Sequence, residues 1–98
     1  MDEVEVIQLL KSHESDVNSC DFSTTKDRLA TASSDHLVRI WNWSTKAGKF
    51  VEDSKSPLKH HTYAVNEVRF SPQGTMLATG STDGTAAIWD LAVIFNFC

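Results

Sequence analysis

Cysteine is scarce in this chain: Cys20 and Cys98 stand alone and share no CxxC spacing. That excludes a disulfide-stapled fold and a zinc ribbon, and both are expected to be free thiols. Long apolar runs are missing as well. The longest, Leu91 to Phe95, falls far short of the roughly 18 residues a membrane helix needs. Basic charge is in deficit, with nine Lys plus Arg against thirteen Asp plus Glu and a net charge of -4, which argues against non-specific attraction to nucleic acid or anionic lipid. Asp2, Glu3 and Glu5 stand where an export signal would be basic, so the expectation is a cytoplasmic protein, with a nuclear location left open. Glycine is sparse too, and Gly74, Gly80 and Gly84 match neither a P-loop nor a dinucleotide fingerprint. They read as turn and packing residues, and no cofactor is expected.

What is present is alternation. Apolar residues recur in short period-2 runs broken by Ser, Thr, Asp and Gly, which predicts an all-β chain. Strands are expected at Val4–Leu10, Val17–Ser23, Leu29–Ser34, Leu37–Trp43, Lys49–Glu52, Val65–Ser71, Met76–Thr82 and Thr85–Leu91. Asp83-Gly84 suits a tight hairpin because Gly tolerates positive φ, and Asp35-His36 fills the equivalent place less comfortably. Pro72-Gln73-Gly74 is a second turn.

The chain also repeats itself. Sliding it by 48 positions aligns Leu10 to Trp43 with Leu58 to Leu91 without a gap, giving 14 identities over 34 positions. They include His13/His61, Asn18/Asn66, Phe22/Phe70, Thr31/Thr79, Asp35/Asp83, Ile40/Ile88 and Trp41/Trp89. Identities at fixed polar and aromatic places are not the product of chance apolar patterning, so two copies of one unit are expected. The division is residues 4–44 and 58–91 for the repeats, 45–57 for a connector and 92–98 for an apolar tail without a counterpart.

The spacings agree between the copies: His to Thr is 18, Thr to Asp is 4 and Asp to Trp is 6. With Ser12-His13 and His60-His61 near the starts, and Trp41-Asn42 and Trp89-Asp90 near the ends, each unit resembles the WD-repeat family, whose repeat is a four-stranded propeller blade. Only the second copy keeps the Trp-Asp pair literally. The resemblance implies two four-stranded blades of an incomplete β-propeller, a non-enzymatic scaffold that binds a protein partner. Rings of this kind have ~4 to 8 blades. The expectation is therefore that further repeats of a longer chain complete the ring, and that this sequence is a truncated or alternatively spliced product. The stretches SPLKHHTYAV, DVN and STDGT are similar to the N-terminal repeats of family members that also carry SAM and U-box domains. That closer likeness implies a recruiting role in ubiquitin transfer carried out elsewhere.

The resemblance further implies one side-chain hydrogen-bond network per blade: His13, Thr31, Asp35 and Trp41, then His61, Thr79, Asp83 and Trp89. The chemistry suits it, since indole only donates, Thr donates and accepts, and imidazole can do one at each nitrogen. A small hydrolase using a His/Thr/Asp set is the rival reading. Duplication of the set, each time beside a Trp, favours scaffolding, and neither copy has a G-x-S-x-G elbow. A metal site from Cys20, His36, His60 and His61 is the other rival. Adjacent His60 and His61 on an extended chain are expected to point to opposite sides, with His61 in the network and His60 facing water. Phe22, Phe70, Ile40, Ile88, Leu29 and Leu77 are expected to form the apolar layer between blades, and Trp43 to pack near the rim. Loops carrying Glu14, Ser15, Asp16, Ser34 and His36, and Thr62, Tyr63, Thr82 and Gly84, are implied to line one face. Tyr63, an aromatic with a polar tip, is the expected anchor for a partner.

Overall fold

A computed structural model describes residues 4–94. Two antiparallel sheets account for nearly all of the regular structure. In the first, β1 (Val17–Ser23), β2 (Arg28–Ser33), β3 (Leu37–Ser44) and β4 (Lys49–Glu52) pair in chain order. The outer strand resumes after a break: β5 (Leu58–Lys59) pairs with Leu37 and Val38 at the other end of β3. The intervening residues stay tied to β3, because the Asp53 amide donates to the Ile40 carbonyl and the Ile40 amide donates to Ser56 Oγ. The second sheet runs β6 (Val65–Phe70), β7 (Met76–Ser81) and β8 (Ala86–Asp90). Leu91–Ile94 then form a single helical turn, α1.

The all-β expectation holds, with two departures. Val4–Leu10 forms no strand; instead Gln8 uses its side-chain amide to bracket Phe50, donating to its carbonyl and accepting its N–H. The second sheet has three strands among the described residues, because the chain turns at Leu91 where a fourth would begin. Residues 95–98 of the expected apolar tail, including Phe95, Phe97 and Cys98, lie outside the described residues.

Both sheets carry the same irregularity. In β1 the register slips between Val17 and Ser19, and in β6 between Val65 and Glu67, leaving Asn18 and Asn66 as bulge residues. Each asparagine donates to the hydroxyl at the following hairpin, Ser34 or Thr82.

The core lies between the sheets. Ala30, Ala32, Val38, Ile40 and Leu58 of the first meet Val65, Val68, Leu77 and Leu91 on the second, with Phe70 and Trp89 at the margin. Strand alternation decides which repeat residues arrive there. Phe22, Leu29 and Trp41 share one face of the first sheet, Ala30 and Ile40 the other; the twins Phe70, Leu77 and Trp89 divide from Ala78 and Ile88 in the same way. The sheets stack in the same sense, so the single junction takes Ile40 from one and Phe70 and Leu77 from the other. This corrects the expected layer of six: Ile40 is fully buried, whereas Ile88 is 70% exposed and Phe22 59% exposed. Leu29 is buried on the outer side.

Candidate functional site

The first repeat brings its four marked residues together. Trp41 Nε1 donates to Thr31 Oγ1 at 3.1 Å, Thr31 Oγ1 lies 2.7 Å from His13 Nε2, and His13 Nδ1 lies 2.9 Å from Asp35 Oδ2. A proton on Nδ1 and a lone pair on Nε2 satisfy every member: Trp donates to Thr, Thr to His and His to Asp. The second repeat reproduces the order, with 3.1 Å from Trp89 to Thr79, 2.8 Å from Thr79 to His61 and 3.3 Å from His61 to Asp83.

Each carboxylate also orders a turn. Asp35 accepts the amides of Glu14 and Leu37, and Asp83 accepts those of Thr62 and Thr85. Thr85 adds its hydroxyl to Asp83 and lies 3.3 Å from His61 Nδ1, where the first repeat has Leu37 and no hydroxyl. Burial works to raise the pKa of Asp35, but the hydrogen bonds from Glu14, His13 and Leu37 outweigh it and hold the group below the usual carboxylate range. Asp83 is held lower, chiefly by the Thr85 hydroxyl, against some desolvation and with help from the Thr85 and Thr62 amides and His61.

Hydroxyl, imidazole and carboxylate in line also describe a nucleophile, base and orienter. Here Thr31 and Thr79 are buried, and each hydroxyl oxygen already accepts an indole N–H. The network is closed on itself. His60 is exposed as expected, but its ring sits edge-on to His61 at 5.3 Å and to Trp89 at 6.3 Å, so the two histidines are not on opposite sides. Cys20 is exposed, and no cluster of three or more potential metal ligands forms among the described residues. No helix among them is long and apolar enough to cross a membrane. Trp43 packs edge-on against Phe50 at 5.3 Å and Phe50 contacts Phe22 at 5.8 Å, leaving Trp43 38% exposed.

Above the networks, the loop residues gather at one end of both sheets. The Ser34 amide donates to the Asp16 carbonyl, and the Thr82 amide donates to the Ala64 carbonyl in the matching place. Asn18 Nδ2 bridges the sheets by donating to both Ser34 Oγ and the Val65 carbonyl. Glu14, Ser15, Asp16, His36, Thr62, Tyr63, Thr82 and Gly84 are exposed around this bridge, and Ser34 is half-buried. His36 has φ of 77°, and its twin Gly84 has 86°. The asparagines and Thr85 are site residues that the marked pattern does not single out, though Asn18/Asn66 was visible as a repeat identity.

A family model described as WD domain, G-beta repeat matches residues 4–42 and 52–90. The chain belongs to the WD40 family. The two sheets are WD40 blades, the paired networks are repeated once per WD40 unit, and the gathered loops form one rim of the blade pair. A search of the curated proteins returns no match. WD40 repeats in general mediate protein–protein interaction and serve as scaffolds.

Proposed function

We propose that this WD40 chain is a non-catalytic scaffold that holds a protein partner on the rim carrying Glu14, Asp16, Ser34, His36, Tyr63 and Thr82. The observation that carries this reading is the coupling of the rim to the buried networks. Asp35 and Asp83 pin the loop and hairpin of their own blades, and Asn18 ties one blade's hairpin to the next blade's backbone. A rigid rim gives up little conformational entropy on binding, which is where a scaffold gains affinity. Tyr63, 59% exposed on that rim, supplies an aromatic anchor, while Glu14 and Asp16 favour a partner segment that is basic or rich in donors.

The likeness of SPLKHHTYAV, DVN and STDGT to the N-terminal repeats of WD-repeat, SAM and U-box domain-containing proteins supports a narrower reading. On it, the rim recruits a protein for ubiquitin transfer performed by a separate domain, in the cytoplasm.

The test compares proteins retained from cell extract by the wild-type chain with those retained by Tyr63→Ala and by a control, Thr24→Ala, in the exposed turn between β1 and β2 at the other end of the sheet from the rim. A specific partner is lost with Tyr63→Ala and kept with Thr24→Ala, and its Kd rises by about tenfold or more. Equal retention by all three removes Tyr63 from the site. Turnover of an activated ester that disappears in Thr31→Val would overturn the scaffold reading in favour of a hydrolase.

A further inference from the structure

The junction between the blades is built from two unlike surfaces, and the molecule carries a second copy of each. The receiving surface, on the first blade, centres on Ala30 and Ile40; its twin on the second blade, Ala78 and Ile88, is exposed. The arriving surface, on the second blade, carries Phe70, Leu77 and Trp89; in its twin, Leu29 and Trp41 are already buried within the first blade, and Phe22 is the member that faces outward, with Trp43 and Phe50 beside it. A shallow depression of about 200 Å³ lies on the exposed receiving surface, walled by Met76, Ala78, Ile88 and the Arg69 stem.

We infer that the chain associates head to tail with copies of itself, the first blade of one copy seating on the second blade of the next. Most of the polar seam carries over. At the internal junction Ser19 Oγ donates to Glu67 Oε1 and accepts the Val68 amide, and Asn18 donates to the Val65 carbonyl. Between copies, Glu67 takes the place of Ser19 and can accept the Ser19 hydroxyl and the Cys20 amide, while Asn66 takes the place of Asn18 and faces the Val17 carbonyl. One polar contact does not carry over: inside the chain Asp21 accepts the Phe70 amide, whereas between copies Arg69 stands in the place of Asp21 and offers the Phe22 amide no acceptor.

The edge carries over too. Leu58–Lys59 completes the first blade by pairing with Leu37 and Val38. Their twins are Leu10–Lys11, and the matching edge is Thr85–Ala86, next to a β8 that has no outer partner among the described residues. A second place fits poorly. A Cβ at Gly74 would stand 2.3 Å from Ser23 Oγ, and the twin of Gly74 is Lys26. The junction between copies is therefore weaker than the internal one and depends on concentration. Such a contact is heterologous, so it closes into a ring or continues as a filament. Rings of ~4 to 8 blades correspond to about two to four copies.

Light scattering after size exclusion on the full chain tests this. The wild-type mass is expected to rise with concentration to a small multiple of 10.9 kDa. Ile88→Glu blocks only the receiving surface and Phe22→Glu only the arriving one, so each alone stays at one copy. Mixed in equal amounts, they form a pair that grows no further, because one unblocked surface of each remains. A wild-type chain that stays at one copy, or a single blocked variant that assembles alone, overturns the inference. So does a mass that neither substitution changes. A circular-dichroism melt confirms that each variant folds, and Met76→Glu replaces Ile88→Glu if that variant does not.

Discussion

The strands β2 and β7 are near-copies, RLATAS and MLATGS, yet every residue of β2 is buried while β7 alternates between exposed and buried over Met76 to Thr79 and ends half-buried. Nothing in the two hexapeptides accounts for that difference; their positions in the stack do. The first blade is covered by the second on one side and by its own network and outer strand on the other. Among the described residues, the second blade is covered on one side only. In a repeat protein, equal sequence therefore does not mean equal energetic weight, because each face gains only from the neighbour that meets it.

The largest effect should come from breaking this asymmetry at the isoleucine twins. Ile40→Ala leaves a cavity in the junction and is expected to cost about 2–5 kcal/mol. Ile88→Ala, at an exposed position, should change stability by less than about 0.5 kcal/mol. Urea unfolding of both variants at one fixed protein concentration measures the difference, and equal losses would mean that the two faces are covered alike.

The networks should behave more evenly, because both are buried around their threonine. Thr31→Val or Thr79→Val removes the hydroxyl that serves indole and imidazole at once, at an expected cost of about 1–3 kcal/mol in either blade. A loss confined to one blade would show that only one network supports the fold.

Acid should separate the carboxylates from the rest of the fold. Asp35 and Asp83 have folded pKa values below their unfolded ones, so their contribution is complete above the unfolded value, near ~4, and fades as pH falls through the lower folded range. Unfolding midpoints followed from about pH 5 to 2 should fall less steeply in Asp83→Asn and Asp35→Asn than in the wild type. Asp83, held lower by Thr85, should resist protonation to a lower pH than Asp35, and Thr85→Val should remove that lead.

The smallest expected effect is a gain. His36 occupies a left-handed conformation that its twin Gly84 adopts without a Cβ, so His36→Gly should stabilise the first blade by about 1 kcal/mol. A loss instead would mean that the imidazole makes a contact that outweighs the backbone strain.

The networks were legible because their members recur at equal spacings that resemble the WD40 repeat, and it was that resemblance that implied they bond to one another; their donor and acceptor chemistry only agreed with it. The burial of Ile40 against Ile88 was not, since identical residues carry no record of which neighbour covers them. Val4–Leu10 has the alternation of a strand but forms none here, because strand structure needs a partner edge and not only a pattern. The short pairing at Leu58–Lys59 was hidden for a related reason: the break between Glu52 and Leu58 interrupts the outer strand, and two residues are too few to show a period. His60 faces water as expected, but a bend just after His61 defeats the simple alternation of an extended chain and leaves the two rings side by side.

Gln8 gives the first blade a defence against uncontrolled aggregation. A primary amide carries the same donor and acceptor as a peptide group, and against Phe50 it fills both hydrogen-bonding positions that another strand would seek. It thus acts as a one-residue strand that cannot be extended. Phe50 sits on the short outer strand β4, and the side chain that occupies its backbone groups has no ladder to pass on.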